Sequence, residues 1–166
     1  MFLGFDEGRG LVQLRAVPNA GLLGHVEDDP RIVAQPFSRH PVIVFVNDSH
    51  RLARRKAVRI EELAGERMVL RENGSTTRRA FEAALERAGV AIDPVMEIGS
   101  REAVWMAVQR GIGIGVVSDI EFVPHPNLRA VRLKDAEVYT YAHVVCLAER
   151  ADSRMIKAFF EVASAL

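Results

Sequence analysis

The 166-residue chain balances 22 lysines and arginines against 22 aspartates and glutamates, so its formal net charge is zero. With 49% apolar and 27% charged residues it suits a soluble globular fold, and the charge balance gives no sign that this chain alone grips nucleic acid or an anionic membrane. The single cysteine, Cys146, excludes an intrachain disulfide and lies in the apolar run Val144-Val145-Cys146-Leu147, where a buried structural thiol is expected.

Residues 1–20 are glycine-rich and hold no sustained period. Within them Leu11-Val12-Gln13-Leu14 reads as a short strand and Pro18-Asn19-Ala20-Gly21 as a turn. The N-terminus lacks a basic region and a long apolar core, so no signal peptide is expected. No apolar run reaches the length of a membrane span, and the expected location is cytoplasmic. Residues 21–26 read as a short buried strand, Glu27-Asp28-Asp29-Pro30 as a polar turn and residues 31–37 as extended. His40-Pro41-Val42-Ile43-Val44-Phe45-Val46 is a strand with no polar residue from Val42 to Val46, the pattern of burial on both faces. Arg51-Leu52-Ala53-Arg54-Arg55-Lys56 reads as a solvated loop, and residues 58–63 as a short helix closing at Ala64-Gly65. Met68-Val69-Leu70 is a strand.

The next helix is specified by Phe81, Ala84, Leu85 and Ala88 at i, i+3, i+4 and i+7, with Gly89 to end it. Val95-Met96-Glu97-Ile98 is a strand, and residues 101–110 form a helix whose apolar side is Ala103, Val104, Ala107 and Val108. Ile112-Gly113-Ile114-Gly115-Val116-Val117 is a further buried strand. Ile120-Glu121-Phe122 forms one helical turn before Pro124 and Pro126. Residues 128–133 alternate apolar and polar, as a half-exposed strand does, and residues 139–147 are the last strand. Asp152 or Ser153 caps a final helix that buries Met155, Ile156, Phe159, Phe160 and Ala163. The alternation through the middle predicts a largely parallel sheet with right-handed crossovers.

Chemistry concentrates at Arg71-Glu72-Asn73-Gly74-Ser75-Thr76-Thr77-Arg78, a small-residue turn between strand and helix. Such a turn offers open N–H groups and hydroxyls at the positive end of a helix, which suits an anion. The alternative is that Ser75 or Thr76 only caps the helix. The pattern recurs: Ile98 leads to Gly99-Ser100, and Val117 leads to Ser118. In open parallel sheets ligands lie at the carboxyl ends of strands. Ser75, Thr76, Thr77, Arg71, Ser100 and Ser118 are therefore the candidate ligand-binding residues. Arg71 and Arg78 are candidate counter-charges, Glu72 or Glu102 could receive an amine, and the plain alternative for Arg78, Arg79 and Arg101 is a solvated helix face. The glycines Gly111, Gly113 and Gly115 follow a helix and enter a strand, the reverse of a dinucleotide motif, and fit close helix–sheet packing instead. His25, His40, His50, His125 and His143 show no metal-ligand spacing, and no cofactor or catalytic constellation is marked.

The order of segments resembles the effector-binding domain of LysR-type transcriptional regulators. Asp29-Pro30-Arg31-Ile32-Val33 with Pro36-Phe37, Ser49-His50-Arg51-Leu52-Ala53, Ile60-Glu61-Glu62-Leu63-Ala64-Gly65, Arg71-Glu72-Asn73-Gly74-Ser75-Thr76-Thr77-Arg78 and the run 111–118 carry the resemblance. It covers the chain from about Leu22 onward. It implies a type 2 periplasmic-binding-protein-like α/β fold, with two lobes that each hold a mixed, mainly parallel sheet flanked by helices. The first lobe would be incomplete. On this mapping residues 1–41 are partial lobe I, 42–145 are lobe II, and 146–166 return to lobe I, with crossovers near residues 38–42 and 143–147.

The implied function is sensing of a small-molecule effector in an interlobe cleft, without enzymatic activity. The implied partner is a second copy of the chain. DNA would be reached only through a helix-turn-helix domain outside this chain. Glu97-Ile98-Gly99-Ser100-Arg101-Glu102-Ala103-Val104 and Val145-Cys146-Leu147-Ala148-Glu149-Arg150, with the turn after Arg71, further resemble the subgroup associated with phosphonate and 2-aminoethylphosphonate use. The alternatives are a solute-binding protein or a small enzyme on the same fold, or a shortened remnant that folds poorly.

Overall fold

The computed structural model describes residues 20–23 and 29–164. The expected strand at 11–14, the polar positions 27 and 28, and His25 lie outside the described residues. The chain forms two compact units, Met1–Arg39 with Tyr141–Leu166, and His40–Thr140. Strands β2 (Ile32–Asn47) and β8 (Tyr139–Leu147) carry the chain between them. The two extended segments expected at 31–37 and 40–46 are thus one strand. Its first half is half-exposed and tolerates Pro36 and Pro41, while Val42 to Val46 are buried.

In the unit His40–Thr140 the sheet runs β5 (Asp93–Ile98), β4 (Arg67–Arg71), β6 (Ile114–Ser118), β2, β7 (Leu128–Leu133), β3 (Ala57–Val58). The pairs β4–β5, β4–β6 and β3–β7 are parallel, whereas β2 pairs antiparallel with β6 and β7. The sheet is therefore mixed, with its parallel pairings in the majority and β2 the antiparallel strand.

Alternation along β2 divides the core into two layers. Val42, Val44 and Val46 join Phe81, Ala84 and Leu85 of α1 (Thr76–Ala88) on one face. Ile43 and Phe45 join Val104, Ala107 and Val108 of α2 (Arg101–Gln109) on the other. Helices on both faces explain the unbroken apolar run in β2. Ala88 is exposed, one residue before the helix ends on Gly89 at φ +65°.

Residues 128–133 form β7. Leu128 belongs to the α2 layer and Val131 to the α1 layer, while Arg129, Ala130 and Arg132 are exposed, so β7 is half-exposed as expected but its two buried residues do not share one face. The glycines of β6 meet their neighbours closely. A Cβ on Gly113 would lie 2.6 Å from the Arg67 carbonyl oxygen, and one on Gly115 would lie 2.3 Å from Phe45 Cζ and 2.9 Å from Val108 Cγ2. Gly115 pairs with Phe45 across the ladder, and the Phe45 ring stacks on Trp105 with centroids 4.9 Å apart.

Three short segments differ from expectation. Residues 58–63 are the end of β3 followed by a 3-10 turn, Ile60–Leu63, whose first N–H donates to Asp135 Oδ1 at 3.0 Å. The basic cluster is solvated as expected, with Arg51, Arg54, Arg55 and Lys56 exposed, but it opens with a 3-10 turn, Arg51–Arg54, that buries Leu52, and Arg51 pairs with Glu66 and Arg55 with Glu62. The turn expected at 120–122 is a 3-10 turn one residue earlier, Asp119–Glu121.

The other unit contains β1 (Ala20–Leu23), antiparallel to β8, and α3 (Arg154–Ser164). Ala20 and Gly21 lie in β1 and not in a turn. Ser153 Oγ accepts the Ile156 N–H at 3.4 Å, so Ser153 supports the start of α3. Ala20, Cys146 and Ile156 are buried together, with Phe159 and Phe160 packed against them. Met155 is 53% exposed, one position off the buried stripe that Ile156 anchors, so α3 does not bury it. The register of β1 and β8 pairs Ala20 with Cys146 and Leu23 with His143.

Candidate functional site

The candidate residues gather at one edge of the sheet in the unit His40–Thr140. Strands β4 and β5 run parallel with Arg71 opposite Ile98, and β6 flanks β4 in the same direction with Val69 opposite Gly115. Arg71, Ile98 and Ser118 therefore end at the same edge, and the chain turns from the first two into α1 and α2.

At the start of α1, Ser75 is the N-cap, with its Oγ 3.4 Å from the Arg78 N–H and its carbonyl accepting the Arg79 N–H at 3.0 Å. The N–H groups of Thr76 and Thr77 open the helix and have no partner within it. The first turn carries no acidic residue. Gly74, Ser75, Thr76 and Thr77 are half-buried, so this positive helix end faces a partly dehydrated surface.

The start of α2 is built differently. Ser100 Oγ accepts the Ala103 N–H at 3.3 Å and donates to Glu102 Oε2 at 2.8 Å. The Glu102 carboxyl is held below its usual range first by its own main-chain N–H and then by Ser100. This helix end already holds a carboxylate of the protein.

The arginines divide by how firmly they are held. Arg78, 12% exposed, donates to Glu82 at 2.7 Å, to Glu97 at 2.6 Å and to the Arg71 carbonyl at 2.6 Å. It is neither a free counter-charge nor part of a solvated face; it ties α1 to the ends of β4 and β5. Arg101 pairs with Glu121 at 2.8 Å. Arg71 forms two parallel bonds to its neighbour Glu72, at 2.8 and 2.7 Å. The Glu72 carboxyl is consequently held below its usual range, chiefly by Arg71.

Ser118 is buried, 3% exposed, and stands opposite Val42 in the β2–β6 ladder. Its hydroxyl lies 3.2 Å from Thr140 Oγ1, which is 3.4 Å from the His40 carbonyl. Ser118 thus ends β6 at this edge with its side chain buried against Thr140. Thr140 was not singled out in sequence, because its contact with Ser118 joins strands far apart in the chain. Glu97 and Glu82 were also missed as anchors of Arg78; only the i, i+4 spacing of Arg78 and Glu82 was visible beforehand. Among the described residues no group of three or more histidine, cysteine, aspartate or glutamate side chains is placed to hold a metal. No described helix is long and apolar enough to cross a membrane.

An open sheet covered on both faces, with helix N-termini gathered at its carboxyl edge, defines a ligand-binding α/β protein. The LysR substrate binding domain matches residues 13–166, and the chain belongs to that family. The fold is the type 2 periplasmic-binding-protein-like fold of LysR effector-binding domains. The chain is similar to the RuBisCO operon transcriptional regulator of Acidithiobacillus ferrooxidans, with 37% identity over 97 residues, 58% of this chain and 31% of that protein. It is similar to the transcriptional activator CmpR of Synechocystis, with 33% identity over 96 residues, 58% of this chain and 32% of that one. The chain thus spans about a third of the length of these relatives.

Among solved structures, the Synechocystis PCC6803 CcmR regulatory domain in complex with 2-PG superposes with a TM-score of 0.75 at 25% identity, over 89% of this chain and 72% of that one. The effector-binding domain of QuiR, in complex with shikimate, shares the fold with a TM-score of 0.77 at 18% identity, over 87% and 69% of the two chains.

Proposed function

We propose that this chain is the effector-sensing part of a LysR-type transcriptional regulator and that its effector carries an oxyanion. The anion seats at the N-terminus of α1, on the Thr76 and Thr77 N–H groups, with Ser75 and Arg71 beside it. Ser100 contributes a hydroxyl at the neighbouring β5 end, and Ser118, buried against Thr140, ends β6 at the same edge. The observation that carries this reading is the contrast between the two helix ends. The α2 end is occupied by Glu102, whereas the α1 end has open N–H groups and no acid in its first turn.

The relatives support a regulator rather than an enzyme, and the CcmR domain, similar at 25% identity, is seen with 2-PG. They do not support the phosphonate subgroup, since the matched regulators include those of RuBisCO operons. The effector is accordingly proposed by chemistry alone, as a small oxyanion. Binding would shift a conformational population, and the signal would reach DNA through a DNA-binding region of the whole regulator. A homodimer is part of the same proposal, and light scattering at several concentrations tests it.

Thermal unfolding against 2-PG, phosphate, 2-aminoethylphosphonate and benzoate tests the site. A ligand at about 100 times its Kd adds roughly 2.7 kcal/mol. Ser75→Ala and Thr76→Ala are expected to weaken binding by more than they weaken folding. Equal losses would return both residues to a capping role, and no midpoint shift with any anion would sink the oxyanion reading.

A further inference from the structure

Three guanidinium groups stand at the end of β4 and the starts of α1 and α2, and they differ in what holds them. Arg78 has acceptors from α1, β4 and β5 and is 12% exposed, so freeing it would undo the joint between those elements. Arg101 pairs with Glu121, beyond β6. Arg71 is 23% exposed, and its carboxylate partner is its own neighbour in the chain, 43% exposed and outside both β4 and α1. Nε and Nη2 of Arg71 meet the two oxygens of Glu72 at 2.8 and 2.7 Å, the fork that an incoming carboxylate or phosphate would claim. The Arg71 carbonyl accepts from Arg78 Nη1 at 2.6 Å, which holds the end of β4 against the first turn of α1.

We propose that Glu72 is a specificity-determining residue, a built-in carboxylate that occupies the Arg71 fork until a ligand oxyanion displaces it. The inference rests on the seat proposed at the start of α1. Tethering gives the Glu72 carboxylate a high effective concentration at the fork. An anion gains Arg71 only if its contacts there, added to those at Thr76 and Thr77, exceed what the internal pair loses. Weakly coordinating anions are excluded from the fork by this competition, and Glu72 returns to it when the ligand leaves. The exchange needs little backbone movement, because Glu72 belongs to the turn and not to a helix or strand.

Calorimetric titration of the whole chain with inorganic phosphate, and separately with 2-PG, tests the exchange. Glu72→Gln keeps the side-chain size and removes the competing charge, and is expected to tighten binding several-fold, on the order of tenfold. Arg71→Gln should weaken binding, and the double variant Arg71→Gln with Glu72→Gln should gain nothing over Arg71→Gln. Unchanged affinity in Glu72→Gln would overturn the proposal. So would an equal gain in the Arg71→Gln background, which would mean only a change in overall charge. Binding that is lost in Ser75→Ala but indifferent to Glu72→Gln would leave the seat standing and remove Glu72 from it. No binding of either anion to the unaltered chain would remove both.

Discussion

Gly115 shows how much a single position carries. Its ladder partner Phe45 is fully buried, and the ring lies where a Cβ on Gly115 would be, at 2.3 Å. Val108 of α2 closes the site from the helix side at 2.9 Å. Neither neighbour is a free side-chain end, so Gly115→Ala must move a packed ring or the helix. It is expected to destabilise the chain by about 1–3 kcal/mol, seen as a lower urea midpoint with an unchanged slope. A midpoint equal to that of the unaltered chain would mean that the ring has room to shift.

Sequence reading identified this glycine as a packing residue and not part of a nucleotide motif. It did not identify Phe45 as the group packed on it, because that pairing depends on register. Arg78 is the converse case. A basic residue in a first helical turn looks solvated in sequence. Its burial follows from Glu97 on another strand, which spacing along one helix does not show.

At the scale of elements, the turns into α1 and α2 were both legible as hydroxyl residues ahead of apolar helical periods, and both serine caps are present. What differs is charge, and the difference has a pH signature. Glu102 is held below its ordinary range by its own N–H and Ser100, and Glu72 by Arg71. A carboxyl with a depressed folded pKa stabilises the fold above its unfolded pKa, and the contribution is lost as pH falls through the lower, folded value. The melting midpoint should therefore drop on acidification below the ordinary carboxylate range of about 4.3. Glu102→Gln should make that acid limb shallower while leaving the start of α1 untouched. An identical limb in Glu102→Gln would show that the carboxylate is not held at the helix end in solution.

The short segments were the least legible elements. Residues 58–63 carry helical residues, yet β3 takes the first of them through parallel pairing with β7. Asp135 holds the N–H that follows, and only a 3-10 turn remains. Local propensity yields there to a partner more than 70 residues away along the chain, as the separation of 75 between Ile60 and Asp135 shows.

For the whole molecule, the order of short motifs identified the family although each motif alone was weak. The division of stability between the two units was not legible, because it depends on how many side chains each core encloses. In the unit His40–Thr140 two buried layers cover both faces of the sheet. The described core of the other unit centres on Ala20, Cys146 and Ile156. The chain supplies one reporter for each. Its single tryptophan, Trp105, is stacked on Phe45 and Phe122 in the first unit, with centroids 4.9 and 5.3 Å apart. Its single cysteine, Cys146, is 4% exposed in the second, and burial raises its thiol pKa.

A buried, protonated thiol reacts only when its surroundings open. The smaller described core is expected to open first. In a urea series Cys146 should therefore react with a thiol reagent at lower concentrations than those that change Trp105 fluorescence. Ligand binding at the α1 end should raise the tryptophan midpoint directly. Coincident midpoints for both probes would instead mean that the two units unfold as one cooperative structure.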